Sequence, residues 1–148
     1  MKQRINVSEL VPQAFNVMIE MEKYLHSCNL DHLLRELIKI RVSQINKCAY
    51  CLEMHTEDAR KSGETEQRIY ALSAWEESPL FTDAERAVLA FVEEVTNISQ
   101  HGVSDKTFAN LQQHFSDNLI AQIIITTNQI NSWNRIAVAT KQFHPIKK

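Results

Sequence analysis

The stretch ELIKIRVSQINKCAYCLEMH, residues 36–55, decides how the fold and the chemistry of this chain are interpreted. Its apolar residues recur at helical spacing as far as Ile45. Asn46 and Lys47 then interrupt the pattern, and a second helical pattern starts near Cys48. We therefore predict two inner helices that form an antiparallel hairpin about Asn46.

Four residues of this hairpin carry reactive groups: Glu36, Cys48, Cys51 and His55. Glu36 lies as far before the turn as position 56 lies after it, so it is expected beside His55, which shares a helix face with Cys51. A carboxylate that supports an imidazole, and an imidazole that takes a proton from sulfur, would make a reactive thiolate of Cys51. Cys48 could then condense with oxidised Cys51 to form a disulfide. The first turn of a helix favours the thiolate further.

Other interpretations of the cysteine pair stay open. Cys48, Cys51, His55 and Glu36 could hold zinc, but a structural zinc site usually has a second Cys or His pair, and no second C-x-x-C exists. The pair could also be non-catalytic in a protein whose role is interaction. A c-type haem is excluded because Leu52, not histidine, follows Cys51. Acyl transfer stays open, although the second cysteine would expose such a nucleophile to oxidation.

The composition favours helices throughout. The 148 residues include only two Gly and three Pro, and no stretch alternates apolar and polar residues as a strand would. We predict an all-α fold, a single domain over residues 1–148, with six or seven helices, the C-x-x-C starting the second helix of the central hairpin. Thr82 to Glu85 has the pattern of a capping box at the start of one helix.

Charge and cysteine count bound the partners and the compartment. A formal charge of -2 gives no basic surplus to neutralise phosphates, so nucleic acid is not expected as a partner. Three cysteines and no signal-peptide pattern predict a cytoplasmic protein. The most apolar stretch, residues 119–139, is predicted to be a buried helix rather than a membrane span, since it contains polar residues throughout: Gln122, Asn128, Gln129, Asn131 and Arg135.

The remaining aromatic and histidine residues are assigned simpler places. His26 and His32 are predicted at the surface, and Trp75 and Trp133 as core or interface anchors. The broad apolar faces of residues 33–45 and 119–138 predict a homo-oligomer, whose copy number the sequence leaves open.

The arrangement of Glu36, Cys48-Ala49-Tyr50-Cys51 and His55 resembles the signature of the alkylhydroperoxidase D family, in the carboxymuconolactone decarboxylase-like superfamily. The similarity extends to the flanking LRELIKIRVSQINKCAYCLEMHTEDARKSGE, to FTDAERAVLAFVEEVT and to INSWNRIAVA, and so spans most of the chain. The decarboxylase branch lacks the cysteine pair, so the resemblance points to the redox branch.

The resemblance implies a helical subunit that forms dimers, trimers or hexamers and runs a peroxidase cycle on hydroperoxides with no cofactor or metal. By this resemblance Cys51 is the peroxide-facing thiol, Cys48 closes the disulfide, His55 is the base and Glu36 supports it. It also implies a lipoyl-bearing or other thiol electron donor and a peroxiredoxin partner. Tyr50 stands where the best-known members carry a second histidine, so it is a candidate auxiliary residue and the proton relay is expected to differ there.

Overall fold

The computed structural model describes residues 2–144 and 146; the predicted domain of residues 1–148 also includes positions outside this part of the chain. The described residues form nine α-helices, one 3-10 helix and no strand, which confirms the all-α prediction. The α-helices are α1 Val7–Leu10, α2 Pro12–Ser27, α3 His32–Ile45, α4 Ala49–Lys61, α5 Glu66–Ala71, α6 Asp83–Thr96, α7 Ile98–His101, α8 Asp105–Gln112 and α9 Asp117–Thr140, and the 3-10 helix is Leu72–Glu77.

The difference from the predicted six or seven helices comes from short elements. α1 and α7 have four residues each, too few for a periodic pattern to reveal. The predicted first helix, starting at Ser8, is divided at Val11, which has φ -134° and ψ 62°. Proline disfavours the helical conformation in the residue before it, so Pro12 separates α1 from α2. The predicted capping box is present, with both the Thr82 and the Glu85 hydrogen bonds formed.

Helix α3 is the centre of the molecule and packs against α4, α6, α9 and the 3-10 helix. Nine of its fourteen residues are buried, including the charged Arg35, Glu36 and Lys39. Burying a charge is costly unless it is paired, so these three residues require partners from neighbouring helices. α3 therefore supplies both the core and the charged part of the site.

The turn between α3 and α4 fixes the position of the cysteine pair. Lys47 adopts a left-handed conformation, with φ 54°, and the amide of Cys48 donates to the carbonyl of Ser43 at 3.0 Å. The Asn46 side chain donates to Asn131 Oδ1 at 2.9 Å and to Asn134 Oδ1 at 3.0 Å. These bonds attach the turn to α9, so that helix sets the position at which α4 begins.

Helix α9 crosses the molecule with polar as well as apolar residues buried along it. Buried amide and hydroxyl groups on this helix include Gln122, Thr127, Asn131 and Asn134. No helix in the described residues is long and apolar enough to cross a membrane.

Candidate active site

The two cysteines of the C-x-x-C lie at the start of α4. Cys48 is the N-cap residue, and Cys51 lies in the first turn. Both are reduced and at most 2% exposed, and their sulfur atoms are 2.8 Å apart, within hydrogen-bond distance. One thiol can therefore donate its proton to the other sulfur.

This contact gives the two cysteines different pKa values. The hydrogen bond from Cys51 lowers the pKa of Cys48 to about 7, against the effect of burial, with help from the amides of Cys51 and Tyr50 and from Asn134. The pKa of Cys51 is raised by the same hydrogen bond, by burial and by the charge on Cys48. As the pH rises through about 7, the pair therefore loses one proton, and it then holds a single negative charge and one shared proton.

Glu36 and His55 are brought together by the helical hairpin. His55 Nδ1 lies 2.8 Å from Glu36 Oε2, and both residues are buried. Burial alone would raise the pKa of the Glu36 carboxyl, but the hydrogen bond and charge of His55 and the charge of Lys39 lower it below its ordinary value. Glu36 is therefore a carboxylate that holds the His55 imidazole in place.

A cavity of about 440 Å³ connects these groups. Cys51, His55, Glu36 and Tyr50 all line it, whereas Cys48 does not. In the described part of the chain no hydrogen bond joins His55 to either sulfur. The imidazole and Cys51 therefore face the same cavity without a hydrogen bond between them. Apolar side chains form much of the remaining wall: Phe15, Ile19, Met54, Trp133, Ile136 and Ala137.

A chain of charged groups continues from Glu36 to α2, and it was not predicted from the sequence. Lys39 Nζ lies 4.0 Å from Glu36 Oε1 and 2.9 Å from Glu22 Oε2. Glu22 also accepts a hydrogen bond from Trp133 Nε1 at 2.8 Å. Lys39 follows Glu36 by one helical turn, a signal that the sequence does carry, but Glu22 and Trp133 reach the site from other helices.

Two histidines predicted at the surface also line the cavity, beside Arg35. The Arg35 guanidinium lies 2.8 Å from His32 Nδ1 and 3.3 Å from His26 Nδ1. Because a guanidinium can only donate, the Nδ1 atoms of His26 and His32 accept from it. Burial and the nearby charge of Arg35 lower the pKa of His26 accordingly.

Asn134 on α9 is a further residue that sequence reasoning missed. It is fully buried, donates to Ser43 Oγ at 3.0 Å and accepts from Asn46. Its side chain also interacts with both sulfurs and lowers the pKa of each cysteine. Neither its spacing nor its neighbours in the sequence link it to the C-x-x-C, because the contact depends on how α9 crosses the turn.

One group of potential metal ligands is present in the described residues, and it differs from the set considered from the sequence. Ligand atoms of Glu36, His55 and Asp58 lie within 4.8 Å of one another. Neither cysteine belongs to this group. The four-ligand zinc site of Cys48, Cys51, His55 and Glu36 therefore does not match the geometry.

Comparison with known proteins agrees with this architecture. The family model for the carboxymuconolactone decarboxylase family matches residues 12–94. The uncharacterised protein YdfG of Bacillus subtilis (strain 168) is 45% identical over 139 residues, covering 94% of this chain and 95% of YdfG.

Two solved structures extend the comparison. A crystal structure from Agrobacterium tumefaciens, of a protein of unknown function suggested to be the antioxidant defence protein AhpD, is 43% identical with a TM-score of 0.96, and covers 99% of this chain and 100% of that one. The debrominase Bmp8, solved with 2,3,4-tribromopyrrole, has a TM-score of 0.80 at 19% identity. The match covers 88% of this chain and 70% of the Bmp8 chain. The last similarity concerns the fold alone. With the family model matching more than half of its length, this chain is an AhpD-like member of the carboxymuconolactone decarboxylase family.

Proposed function

We propose that this protein is a thiol-dependent peroxidase that reduces organic hydroperoxides through Cys51 and Cys48. The observation that carries the proposal is the pair of sulfurs 2.8 Å apart, one of which lines the same cavity as the hydrogen-bonded Glu36 and His55. A nucleophile, a resolving thiol and a supported acid–base group are the parts that thiol-based peroxide reduction needs.

The first step begins with the shared proton. Cys51 passes its proton across the short sulfur–sulfur contact to Cys48, which leaves the thiolate on the sulfur that faces the cavity. This thiolate attacks the terminal peroxide oxygen, the O–O bond breaks as the S–O bond forms, and Cys51 becomes a sulfenic acid. The alkoxide that leaves takes a proton from the His55 imidazolium, whose charge Glu36 supports.

The second step consumes the proton held by Cys48. Its sulfur attacks the Cys51 sulfenic acid, the S–S bond forms, and hydroxide leaves with the thiol proton as water. One hydroperoxide and two thiols thus give one alcohol, one water and one disulfide. A dithiol donor, which we propose to be a lipoyl-bearing protein, restores the two thiols and is itself oxidised. We also propose that this protein transfers electrons to a peroxiredoxin.

The apolar side of the cavity supports an organic substrate. Phe15 and Trp133 pack edge to face with ring centroids 5.3 Å apart, and together with Ile136 they contribute an apolar part of the cavity lining. A hydrocarbon tail would lie against this part of the lining with its peroxide directed toward Cys51.

Rapid-mixing kinetics with cumene hydroperoxide test the proposal. The reduced wild-type protein should lose two thiols per hydroperoxide, and mass spectrometry should find the Cys48–Cys51 disulfide. Cys51→Ser should abolish the fast phase, whereas Cys28→Ser, which removes the third, half-buried cysteine, should retain it. Thiol loss in wild type no faster than in Cys51→Ser would refute the peroxidase. Metal analysis of the same protein tests the rival, because stoichiometric zinc that Cys48→Ser and Cys51→Ser release would indicate structural cysteines.

A further inference from the structure

This inference rests on the proposed function and concerns which hydroperoxides the cavity accepts. We propose that Asp58 makes the cavity select uncharged hydroperoxides and reject those that carry a carboxylate. Its basis is the balance and placement of the charged groups around the cavity.

The cations near the cavity are already engaged by the protein. Lys39 lies between Glu22 and Glu36, at 2.9 Å and 4.0 Å. Arg35 donates to the carbonyl of Leu25 at 2.7 Å and to His32 Nδ1 and His26 Nδ1. An incoming carboxylate would therefore have to displace one of these contacts to find a partner.

The carboxylates outnumber these cations. Glu22, Glu36 and Asp58 line the cavity, and the cysteine pair adds a further negative charge near neutral pH. Glu22 and Glu36 have Lys39 between them, but in the described residues Asp58 has neither an ion pair nor a side-chain hydrogen bond. His55 is hydrogen-bonded to Glu36 rather than to Asp58, so the negative charge of Asp58 has no direct partner among the described residues.

Asp58 is placed where this charge affects the reacting groups. It follows His55 by three residues on α4, so it lies on the same helix face, and its carboxylate is within 4.8 Å of ligand atoms of Glu36 and His55. It is only half-buried, and apolar side chains form much of the rest of the cavity lining. A substrate anion would meet repulsion from Asp58 and an apolar lining elsewhere, and neither environment stabilises it.

Two probes with one hydrocarbon skeleton test this selection: cumene hydroperoxide and its para-carboxylate. The quantity measured is the ratio of their second-order rate constants with the reduced protein, which a uniform change in activity does not alter. Coulomb repulsion across a cavity of this size, at an effective dielectric constant of about 20, predicts a wild-type ratio of roughly tenfold or more in favour of the uncharged probe. Asp58→Asn should lower this ratio several-fold toward one, and added salt should lower the ratio of the wild-type protein.

Asp105→Asn is the matched control, because it removes the same charge from an exposed position on α8. It should leave the ratio as in wild type. Equal rates for the two probes in wild type, or a ratio that Asp58→Asn does not change, would overturn the selection while leaving the peroxidase intact. A ratio that Asp105→Asn narrows equally would overturn the role of Asp58, since net charge alone would explain it.

The corresponding alcohols keep the inference testable if the thiols do not react with either probe, an outcome that would refute the peroxidase itself. Titration calorimetry should then show tighter binding of 2-phenyl-2-propanol than of its para-carboxylate, with the preference reduced in Asp58→Asn. Equal affinity for the two alcohols would overturn the inference independently of the chemistry.

Discussion

His55 Nδ1 and Glu36 Oε2 lie 2.8 Å apart although the residues belong to different helices and are nineteen positions apart in the sequence. Glu36→Gln keeps the size of the side chain but removes the negative charge that favours the imidazolium. We expect the reaction of the thiols with cumene hydroperoxide to slow by roughly tenfold to a hundredfold, because less protonated His55 is then present to give a proton to the leaving alkoxide. Stopped-flow kinetics measure the change. Glu66→Gln, at an exposed position on α5, is the control, and a rate equal to wild type in Glu36→Gln would contradict the role of the pair.

Titration of the cysteine pair should follow the shared proton. Because the pKa of Cys48 is lowered to about 7, thiolate should appear as the pH rises through 7, and the peroxide reaction should accelerate over the same range. The second proton should leave only at much higher pH, since the pKa of Cys51 is raised. The ultraviolet absorbance of the thiolate against pH measures both steps. Cys51→Ala removes the side-chain donor, so the remaining Cys48 should titrate higher than in wild type; an unchanged first step would contradict proton sharing.

Asn134 is expected to tune the thiols as well as to stabilise the fold. Asn134→Ala removes its effect on both sulfurs, which should raise the pKa of the first thiol step. It also leaves the Ser43 hydroxyl without its donor and removes one of the two hydrogen bonds of the Asn46 side chain, at a cost of about 1–3 kcal/mol in the free energy of unfolding. Asn131→Ala is a matched control, because Asn131 also accepts from Asn46. It should destabilise the protein but leave the thiol titration in place, and a pKa change of the same size in both variants would contradict a direct effect of Asn134.

Lys39 should be essential for stability because its charge is buried between two carboxylates. The side chain is 3% exposed, as is that of Glu36. Lys39→Met leaves Glu22 and Glu36 without their shared cation, so the free energy of unfolding should fall by about 3 kcal/mol. Denaturation in urea measures this change. Lys23→Met, which breaks a pair that is 67% exposed on both sides, should have little effect, and equal losses in the two variants would contradict the assignment.

Assembly into a homo-oligomer stays a prediction. From the structure, we now expect its interface at a different surface of the subunit. The apolar residues of α3 are covered within the chain by α4, α6 and α9. Large apolar side chains are exposed instead on α2, where Val17 is 70% and Tyr24 55% exposed. Sedimentation at micromolar concentration should therefore show a species larger than the 17.1 kDa subunit, and Val17→Glu should weaken it. A 17.1 kDa species alone would contradict the prediction.

The hairpin could be predicted because its determinants are local. Helical periodicity, the interruption at Asn46 and the positions of Glu36 and His55 relative to the turn are all readable within twenty consecutive residues, and the structure brings that acid and imidazole together. The capping box at Thr82 is a four-residue pattern and was predicted for the same reason.

The rest of the site depends on contacts between distant segments. Glu22 and Trp133 are 111 positions apart and meet only because α2 and α9 pack together. The shared proton of the cysteine pair depends on rotamers within one turn, which spacing does not determine. The sequence therefore predicted Cys51 as the activated thiol without indicating that the lower pKa would belong to Cys48.

The amide side chain of Asn46 joins the hairpin turn to Asn134, which in turn acts on both sulfurs. The stability of the turn and the pKa values of the cysteine pair thus depend on the same few amide side chains. A substitution that rigidifies this turn for heat tolerance would therefore also change the pKa values of the cysteine pair, so the two properties cannot be optimised separately at this point of the chain. Variation that leaves the chemistry intact is accordingly expected in α5, α7 and α8, away from the amide contacts.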